Sequence, residues 1–306
     1  MKAAYIEKFG TPDVVKVGTL PDPAAGPGQV VVDVAAASVN GADWKVAAGE
    51  YKQVTFPVIL GRDFSGTVSA VGAGVTDLKV GDEVFGVLEN GRDGTYCEKL
   101  AVGAAVVAKK PSAMSHVDAA ALALIGLTAI CAVEESLKLQ KGETILVQGG
   151  AGGVAGFAIQ LARHLGARVI STASAGNVAY VKSLGADQVI DYNAQDFTRI
   201  LKDIDAVFDT VGGDVATRSF QVLKPGGRAT FIASGPTAPK PGRSDVTALR
   251  PAVPRTRDRI ERIAELYTKG VVKPPPVTLY ALDDAAKAVH VSAARHLKGK
   301  LVFKLR

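Results

Sequence analysis

The apolar positions of the first 110 residues follow the two-residue period of β-strands. Short runs of β-branched residues lie between turns marked by Gly and Pro, and a helical period is nearly absent. Short strands separated by such turns are typical of an all-β unit. The pattern predicts strands at residues 30–34, 66–71, 80–86 and 102–108.

From residue 143 the pattern changes to apolar strands that alternate with amphipathic helices. The predicted strands cover residues 144–148, 168–172, 188–191, 206–210 and 228–233, and the predicted helices 154–165, 177–184, 196–203 and 214–223. This alternation predicts a parallel sheet with helices on both faces. An apolar helix over 116–137, with a break at Gly126, precedes the sheet.

The last 50 residues predict a helix at 257–269, then a strand, a helix at 283–293 and a strand at 300–304. Because the α/β region already has a complete sheet, we expect these strands to pair within the N-terminal β-unit. The proline-rich stretch 236–254 shows no convincing strand. We therefore expect a shortened sixth strand.

Composition restricts the class of protein. The chain has 306 residues, of which 47% are hydrophobic and 22% charged, as in a folded soluble protein of about two domains. Two cysteines, Cys97 and Cys131, cannot form a disulfide framework, and they indicate a reducing compartment. No run reaches about 18 apolar residues and no signal-peptide core follows Met1. We expect a cytoplasmic protein without a membrane partner.

The net charge of +6 raises the question of nucleic-acid binding. The most basic stretch, residues 240–262, holds seven basic and three acidic residues. Such a stretch would bind RNA in a salt-dependent way, or it forms a solvated helix face. The second interpretation is preferred, so we expect no nucleic-acid partner.

A glycine-rich turn connects the first α/β strand to an apolar helix. The turn consists of Gly149, Gly150, Ala151, Gly152, Gly153 and Val154. It fits the dinucleotide fingerprint as Gly149-x-x-Gly152-x-x-Ala155 or as Gly150-x-Gly152-x-x-Ala155. Backbone N–H groups and the positive end of the helix dipole suit a pyrophosphate there. With a strand before it and a helix after it, the turn predicts dinucleotide binding rather than a tight turn alone.

The end of the second strand favours NADPH over NADH. An NADH site places an acidic residue there, about 20 residues after the glycines. This chain instead has the run from Ser171 to Asn177, without a carboxylate. The Ser174 hydroxyl and the Asn177 amide could bind a 2′-phosphate, although the run contains no Arg or Lys.

Several sequence segments together resemble the medium-chain dehydrogenase/reductase superfamily, and within it the zinc-independent NADPH:quinone oxidoreductases. The segments are AASVNGAD at 36–43, PVILGRDFSG at 57–66, VGDEVFG at 80–86, DTVGG at 209–213 and GKLV at 299–302. The resemblance implies an α/β protein with a GroES-like β-barrel catalytic domain (residues 1–120 and 270–306) and a Rossmann doubly wound domain (residues 121–269). It also implies an active-site cleft between them.

The same resemblance allows the zinc-dependent branch to be tested. That branch has Cys where this chain has Asn40, His where it has Arg62, and a second Cys near Leu124. None of these three side chains is a zinc ligand. Asp63 alone does not make a site, so no metal is expected.

The resemblance also implies individual roles. Catalytic or substrate-facing roles go to Asn40, Tyr51 and Arg62. Apart from the resemblance, Lys45 or a ribose hydroxyl of the cofactor is a further candidate donor for the oxygen of the acceptor. The remaining cofactor contacts outside the glycine turn go to Asn40, Thr128, Tyr192, Val211, Gly212, Ala233, Ser234 and Gly235. Each has a structural alternative, such as an Arg62 ion pair with Asp43 or Asp63, or Thr128 as a cap.

The expected function is hydride transfer from NADPH to a quinone or a similar electron-poor acceptor. An enoyl or alkenal reductase, acting on an α,β-unsaturated carbonyl, has the same architecture. A non-catalytic NADPH-binding redox sensor is a further alternative. The short sixth strand leaves a homodimer open, because typical relatives pair through that edge.

Overall fold

The computed structural model describes residues 1–51, 55–92, 94–295 and 297–306. These residues form two units. The first contains Met1–Leu124, Pro254–Thr268 and Pro274–Arg306, and the second contains Ile125–Val253 and Lys269–Lys273.

The strands lie in both units. In chain order they are β1 (Lys2–Ile6), β2 (Lys16–Thr19), β3 (Gln29–Val39), β4 (Val58–Ile59), β5 (Asp63–Val71), β6 (Glu83–Val87), β7 (Lys99–Gly103), β8 (Val107–Lys109), β9 (Thr144–Gln148), β10 (Arg168–Ala173), β11 (Gln188–Asp191), β12 (Ile204–Asp209), β13 (Leu223–Phe231), β14 (Thr247–Leu249), β15 (Val277–Tyr280) and β16 (Lys300–Lys304).

The helices alternate with the strands mainly in the second unit. They are α1 (Asp43–Ala47), α2 (His116–Ile130), α3 (Gly153–His164), α4 (Val178–Ser183), α5 (Phe197–Ile200), α6 (Gly213–Ser219), α7 (Arg257–Thr268) and α8 (Ala285–Ala293). Short 3₁₀ turns lie at Pro12–Val14, Ala104–Val106, Ala175–Asn177, Phe220–Val222 and Leu282–Asp284, and a π-helical segment at Cys131–Ser136.

The first unit is built on two sheets. A three-stranded sheet has the order β2-β1-β4, and a seven-stranded sheet runs β15-β16-β3-β5-β6-β8, with β7 also paired to β3. Strand β16 pairs antiparallel with β3, with Leu301 opposite Val39. The prediction that the C-terminal strands join the N-terminal β-unit is therefore confirmed. This pairing brings Lys300 close to the end of β3.

The second unit is a parallel sheet in the order β11-β10-β9-β12-β13-β14. In order of appearance this is 3-2-1-4-5-6, the doubly wound arrangement that the alternating pattern predicts. Strand order reverses between β9 and β12, which lie side by side with Asp209 opposite Gln148. Dinucleotides bind at the carboxyl ends of strands at such a reversal.

For the second unit, one prediction about the strands is confirmed and one about a helix needs correction. The sixth strand is short, since only Thr247, Ala248 and Leu249 of β14 pair with β13. The stretch 247–249 contains no proline, so its N–H groups remain available for the ladder. The break predicted at Gly126 is absent, since α2 continues through it and into the π-helical segment. Gly126 and its neighbours are buried, and packing outweighs the weak helix propensity of glycine.

The uninterrupted helix has a consequence for membrane insertion. By length and composition alone, His116–Ser136 is long and apolar enough to cross a membrane. Of its most apolar window, however, 72% is buried inside the protein. A buried core helix accounts for the same composition.

Helix α7 belongs to the first unit, whereas the predicted Rossmann domain extended to residue 269. Its apolar face, formed by Ile260, Ile263 and Leu266, is buried. Arg257 forms an ion pair with Asp77 of the same unit. The spacing of apolar residues predicts the helix, but it does not predict which unit the helix packs against. The contacts of Ile260, Ile263, Leu266 and Arg257 determine that.

Candidate active site

The glycine turn lies at the carboxyl end of β9 and leads directly into α3. Gly149 has a φ of +78°, a conformation that favours glycine. A Cβ on Gly150 would lie 2.3 Å from Ser171 Oγ and 2.8 Å from Val181 Cγ1. The backbone of Gly150 therefore passes where no side chain fits, and this position requires glycine.

The turn presents N–H groups of the kind that bind phosphate. The first backbone bond of α3 runs from Gly156 N to Gly152 O, at 2.8 Å. The N–H groups of Gly153, Val154 and Ala155 precede it and have no partner within the helix. The positive end of the helix dipole adds to their attraction for an anion. These groups and the glycine cradle fit a pyrophosphate.

A second turn follows β12, the neighbouring strand. Asp209 is fully buried, and its Oδ1 accepts from Val211 N at 2.6 Å and Gly212 N at 3.0 Å. Burial raises the pKa of Asp209, and the two N–H groups oppose that rise. The carboxylate thus fixes the turn. In this turn the side chain of Val211 is 46% exposed, and its Cγ2 atom lies 3.0 Å from where a Cβ on Gly149 would be.

Most of the remaining predicted cofactor residues of the second unit lie after other strands of this sheet. Ser234 and the exposed Gly235 follow β13, and Ser234 Oγ is buried without a hydrogen-bond partner. Tyr192 follows β11, is 53% exposed, and its N–H donates to Ala173 O at 3.2 Å. Thr128 lies in α2 and is half-buried.

Ser174 and Asn177 lie together at the end of β10. Asn177 Nδ2 donates to Ser174 Oγ at 3.0 Å, and Asn177 N donates to Ser174 O at 2.8 Å. Both residues are half-buried. The end of β10 therefore presents a hydroxyl and an amide without a carboxylate, as the sequence indicates.

In the first unit Asn40 is held on both sides of its amide. Its Nδ2 donates to Asp63 Oδ2 at 3.1 Å and to Ser38 O at 3.2 Å. Its Oδ1 accepts from Lys300 Nζ at 2.6 Å, and Lys300 Nζ also donates to Val39 O at 2.7 Å. Both amide hydrogens are used, so Asn40 has none left for an acceptor.

Asp43 joins this arrangement from α1. Its Oδ2 accepts from Asn40 N at 2.8 Å and from the Tyr96 hydroxyl at 2.5 Å. Arg62 Nε lies 4.0 Å from Asp43 Oδ1, and the Arg62 guanidinium lies 5.0 Å from the centre of the Tyr51 ring. We call Ser38, Asn40, Asp43, Asp63, Tyr96 and Lys300 the buried polar cluster.

Burial disfavours the charged forms of Asp63 and Lys300, and their neighbours in the cluster counter this effect. Burial raises the pKa of Asp63, while the charge of Lys300 and the donors on Ser38 and Asn40 lower it. Burial lowers the pKa of Lys300, while Asp63 and Asp43 raise it. Each charge is thus tolerated because the other is present.

Of the predicted substrate-side residues, two lie together and one lies apart from them. Tyr51 and Arg62 lie together, and Tyr51 is 45% exposed. Lys45 Nζ instead lies 3.8 Å from Glu50 Oε2. Burial raises the pKa of Cys97 to about 12, so its thiol stays protonated at neutral pH. Sequence reasoning did not identify Lys300, whose signal is a lysine directly before the apolar run Leu301–Phe303.

Comparison with known proteins agrees with this geometry. Residues 26–159 match the alcohol dehydrogenase GroES-like domain, and residues 184–303 match a zinc-binding dehydrogenase domain. The 2-methylene-furan-3-one reductase of Solanum lycopersicum is 33% identical over 99% of this chain and 79% of its own length. The chloroplastic NADPH-dependent alkenal/one oxidoreductase of Arabidopsis thaliana is 32% identical with the same coverage.

A solved structure extends the likeness to the whole fold. The quinone oxidoreductase of Coxiella burnetii has a TM-score of 0.93 and 32% identity, covering 100% of this chain and 99% of its own. Fold, turn and relatives together define a medium-chain dehydrogenase/reductase. Within that superfamily, the chain belongs to the zinc-independent quinone oxidoreductase-like family.

Zinc, which the name of the second domain family implies, does not fit these residues. Within the described parts of the chain, no three His, Cys, Asp or Glu side chains are grouped to hold a metal. At the family's zinc position Asn40 already binds an ammonium, and an ammonium donates hydrogen bonds but has no lone pair for a metal.

We therefore expect the purified protein to contain substoichiometric zinc. Metal analysis by plasma mass spectrometry would check this, and prolonged dialysis against EDTA is expected to leave the melting temperature unchanged. One tightly bound zinc ion per chain, with a melting temperature that falls on chelation, would contradict the prediction.

Proposed function

We propose that this protein transfers a hydride from NADPH to a quinone or an α,β-unsaturated carbonyl. The observation that carries the proposal is the glycine turn at the strand reversal, with the unbonded N–H groups of α3. When bound there, NADPH supplies the hydride chemistry itself. The relatives named as a reductase of a furanone and as an alkenal/one oxidoreductase support the enone alternative in particular.

The chain's own contribution is binding and orientation. The α3 N-terminus would hold the pyrophosphate, and Ser174 with Asn177 would receive a 2′-phosphate. Val211, Gly212, Ser234 and neighbouring Ala233 and Gly235 would line the nicotinamide part, and Tyr192 the adenosine part.

On the substrate side, Arg62 is the donor we propose for the oxygen of the acceptor. Its guanidinium stacks on Tyr51, which offers an aromatic surface to a ring-shaped acceptor. The held amide of Asn40 would form a rigid wall rather than donate a proton. A quinone needs no strong general acid, because the oxyanion formed on reduction is already stable.

We propose further that the protein acts on small molecules in the cytoplasm, without nucleic-acid or membrane partners. Two arginines of the basic stretch are used internally, since Arg255 Nη1 donates to Leu88 O at 2.5 Å and Arg257 pairs with Asp77. Strand β14 offers only three residues for pairing between copies. A homodimer through this edge would therefore be weak, and sedimentation velocity would measure it.

An acceptor panel tests the proposed reaction. NADPH oxidation, followed by absorbance, is expected with 1,4-benzoquinone or with a simple enone, and not with a saturated aldehyde. The ratio of the two kcat/KM values separates a quinone reductase from an enone reductase. NADPH binding without oxidation by any acceptor would contradict an enzyme and support a redox sensor.

A further inference from the structure

The buried polar cluster contains a charged chain of hydrogen bonds that the proposed reaction does not use. Lys300 is 5% exposed, and Asp63 is fully buried. The amide of Asn40 lies between them, with its oxygen toward the ammonium and its nitrogen toward the carboxylate. The amide dipole is thereby aligned between a positive and a negative group.

The hydrogen-bond partners indicate that both ends are charged. Lys300 Nζ faces the oxygen atoms of Val39 and Asn40, which only accept. Asp63 receives Ser38 N at 3.2 Å and the Ser38 hydroxyl at 2.8 Å, besides Asn40 Nδ2. Donors around the carboxylate favour its ionised form, and acceptors around the amine favour the ammonium.

The zinc-dependent branch, by the resemblance described above, has a metal ligand at position 40. In this chain the side chain at that position is bound to an ammonium brought in by β16. We propose that Lys300 is an internal cation, which balances the buried carboxylates in place of a metal and fixes the side chain of Asn40.

The proposal predicts strong coupling between Lys300 and Asp63. Lys300→Met keeps the apolar stem and removes the charge, so we expect the melting temperature to fall by roughly 10 °C, because it leaves a buried carboxylate uncompensated. Asp63→Asn should also be destabilising. The double variant Lys300→Met/Asp63→Asn should recover most of the loss, since it removes both charges.

Lys304→Met is the matched control, since Lys304 is on the same strand but exposed. It should melt close to the wild type and show no coupling with Asp63→Asn. Additive losses for Lys300→Met and Asp63→Asn would overturn the proposal. If Lys300→Met does not fold, a folded double variant supports the proposal and an unfolded one overturns it.

The pH dependence of stability separates a charge role of Lys300 from a packing role, because loss of packing alone would not depend on pH. The charged and titratable groups around the cluster are Lys300 from β16, Asp43 from α1, and Arg62 and Tyr96 next to Asp43. Without the ammonium, the pKa of buried Asp63 rises further above its unfolded value. The variant then takes up a proton on folding. Its free energy of unfolding therefore falls as the pH rises above the pKa that Asp63 has in the unfolded chain.

The deficit of Lys300→Met relative to the wild type should therefore be smaller at pH 5 than at pH 8. A deficit independent of pH over this range would overturn the charge role. These experiments measure unfolding, so they test the role of Lys300 as an internal cation even if the protein reduces no acceptor. Failure of the acceptor panel and failure of this proposal remain distinct.

Discussion

NADPH affinity is expected to fall at least 100-fold when Gly152 is replaced by aspartate. Gly152 is the N-cap of α3, with φ −75° and ψ 156°, an extended conformation that any residue adopts. A Cβ there meets nothing nearer than Gly149 O, at 3.4 Å. A carboxylate at an N-cap accepts from the N–H groups of the first helical turn and neutralises the positive end of the helix dipole.

The substitution thus removes the binding site while preserving the helix. The carboxylate would occupy the N–H groups that a pyrophosphate needs, and it would repel the phosphates. A 100-fold loss corresponds to about 2.7 kcal/mol. The free energy of unfolding should stay within about 1 kcal/mol of the wild type, because aspartate is a good N-cap.

Fluorescence titration with NADPH and urea unfolding would measure the two effects. Gly242→Asp is the control, since Gly242 lies in the same unit with no atom within 4 Å of its Cβ position, and it adds the same charge. An unchanged NADPH dissociation constant in Gly152→Asp would mean that the turn does not hold the pyrophosphate.

The second unit could be predicted from the sequence in more detail than the first. Its central strands are buried and are separated by helices, so an apolar run such as β9 stands out with its observed bounds. The glycine turn is also local, because strand, turn and helix are consecutive. A ligand site built from one continuous segment leaves a readable pattern.

The buried polar cluster has no such local pattern. Lys300 meets Asn40 across 260 residues, through the pairing of β16 with β3. Resemblance places Asn40 near the cofactor, but it cannot show that Lys300, Ser38 and Asp63 use every polar atom of its amide. The location of α7 was missed for the same reason, since its apolar face does not specify a partner.

Cofactor preference should reverse when Ser174 is replaced by aspartate. Ser174 directly follows β10, at the position where an acidic residue in NADH-binding proteins accepts from the ribose hydroxyl groups. An aspartate there keeps an acceptor for Asn177 Nδ2, so the local hydrogen bond survives. It repels a 2′-phosphate and binds the two hydroxyls of NADH.

We expect the ratio of NADPH to NADH affinity to change by about 1,000-fold, or about 4 kcal/mol, from preference for NADPH to preference for NADH. Titration of both nucleotides against wild type and variant measures this ratio. Ser183→Asp, an exposed position at the end of α4, controls for the added charge and should leave it unchanged. A wild type that prefers NADH would show that the protein does not select for the 2′-phosphate. A Ser174→Asp ratio equal to that of Ser183→Asp would show that the 2′-phosphate is recognised elsewhere. Because β10 ends at Ala173 and its neighbour β9 ends at the glycine turn, one sheet edge then determines both whether a dinucleotide binds and which one.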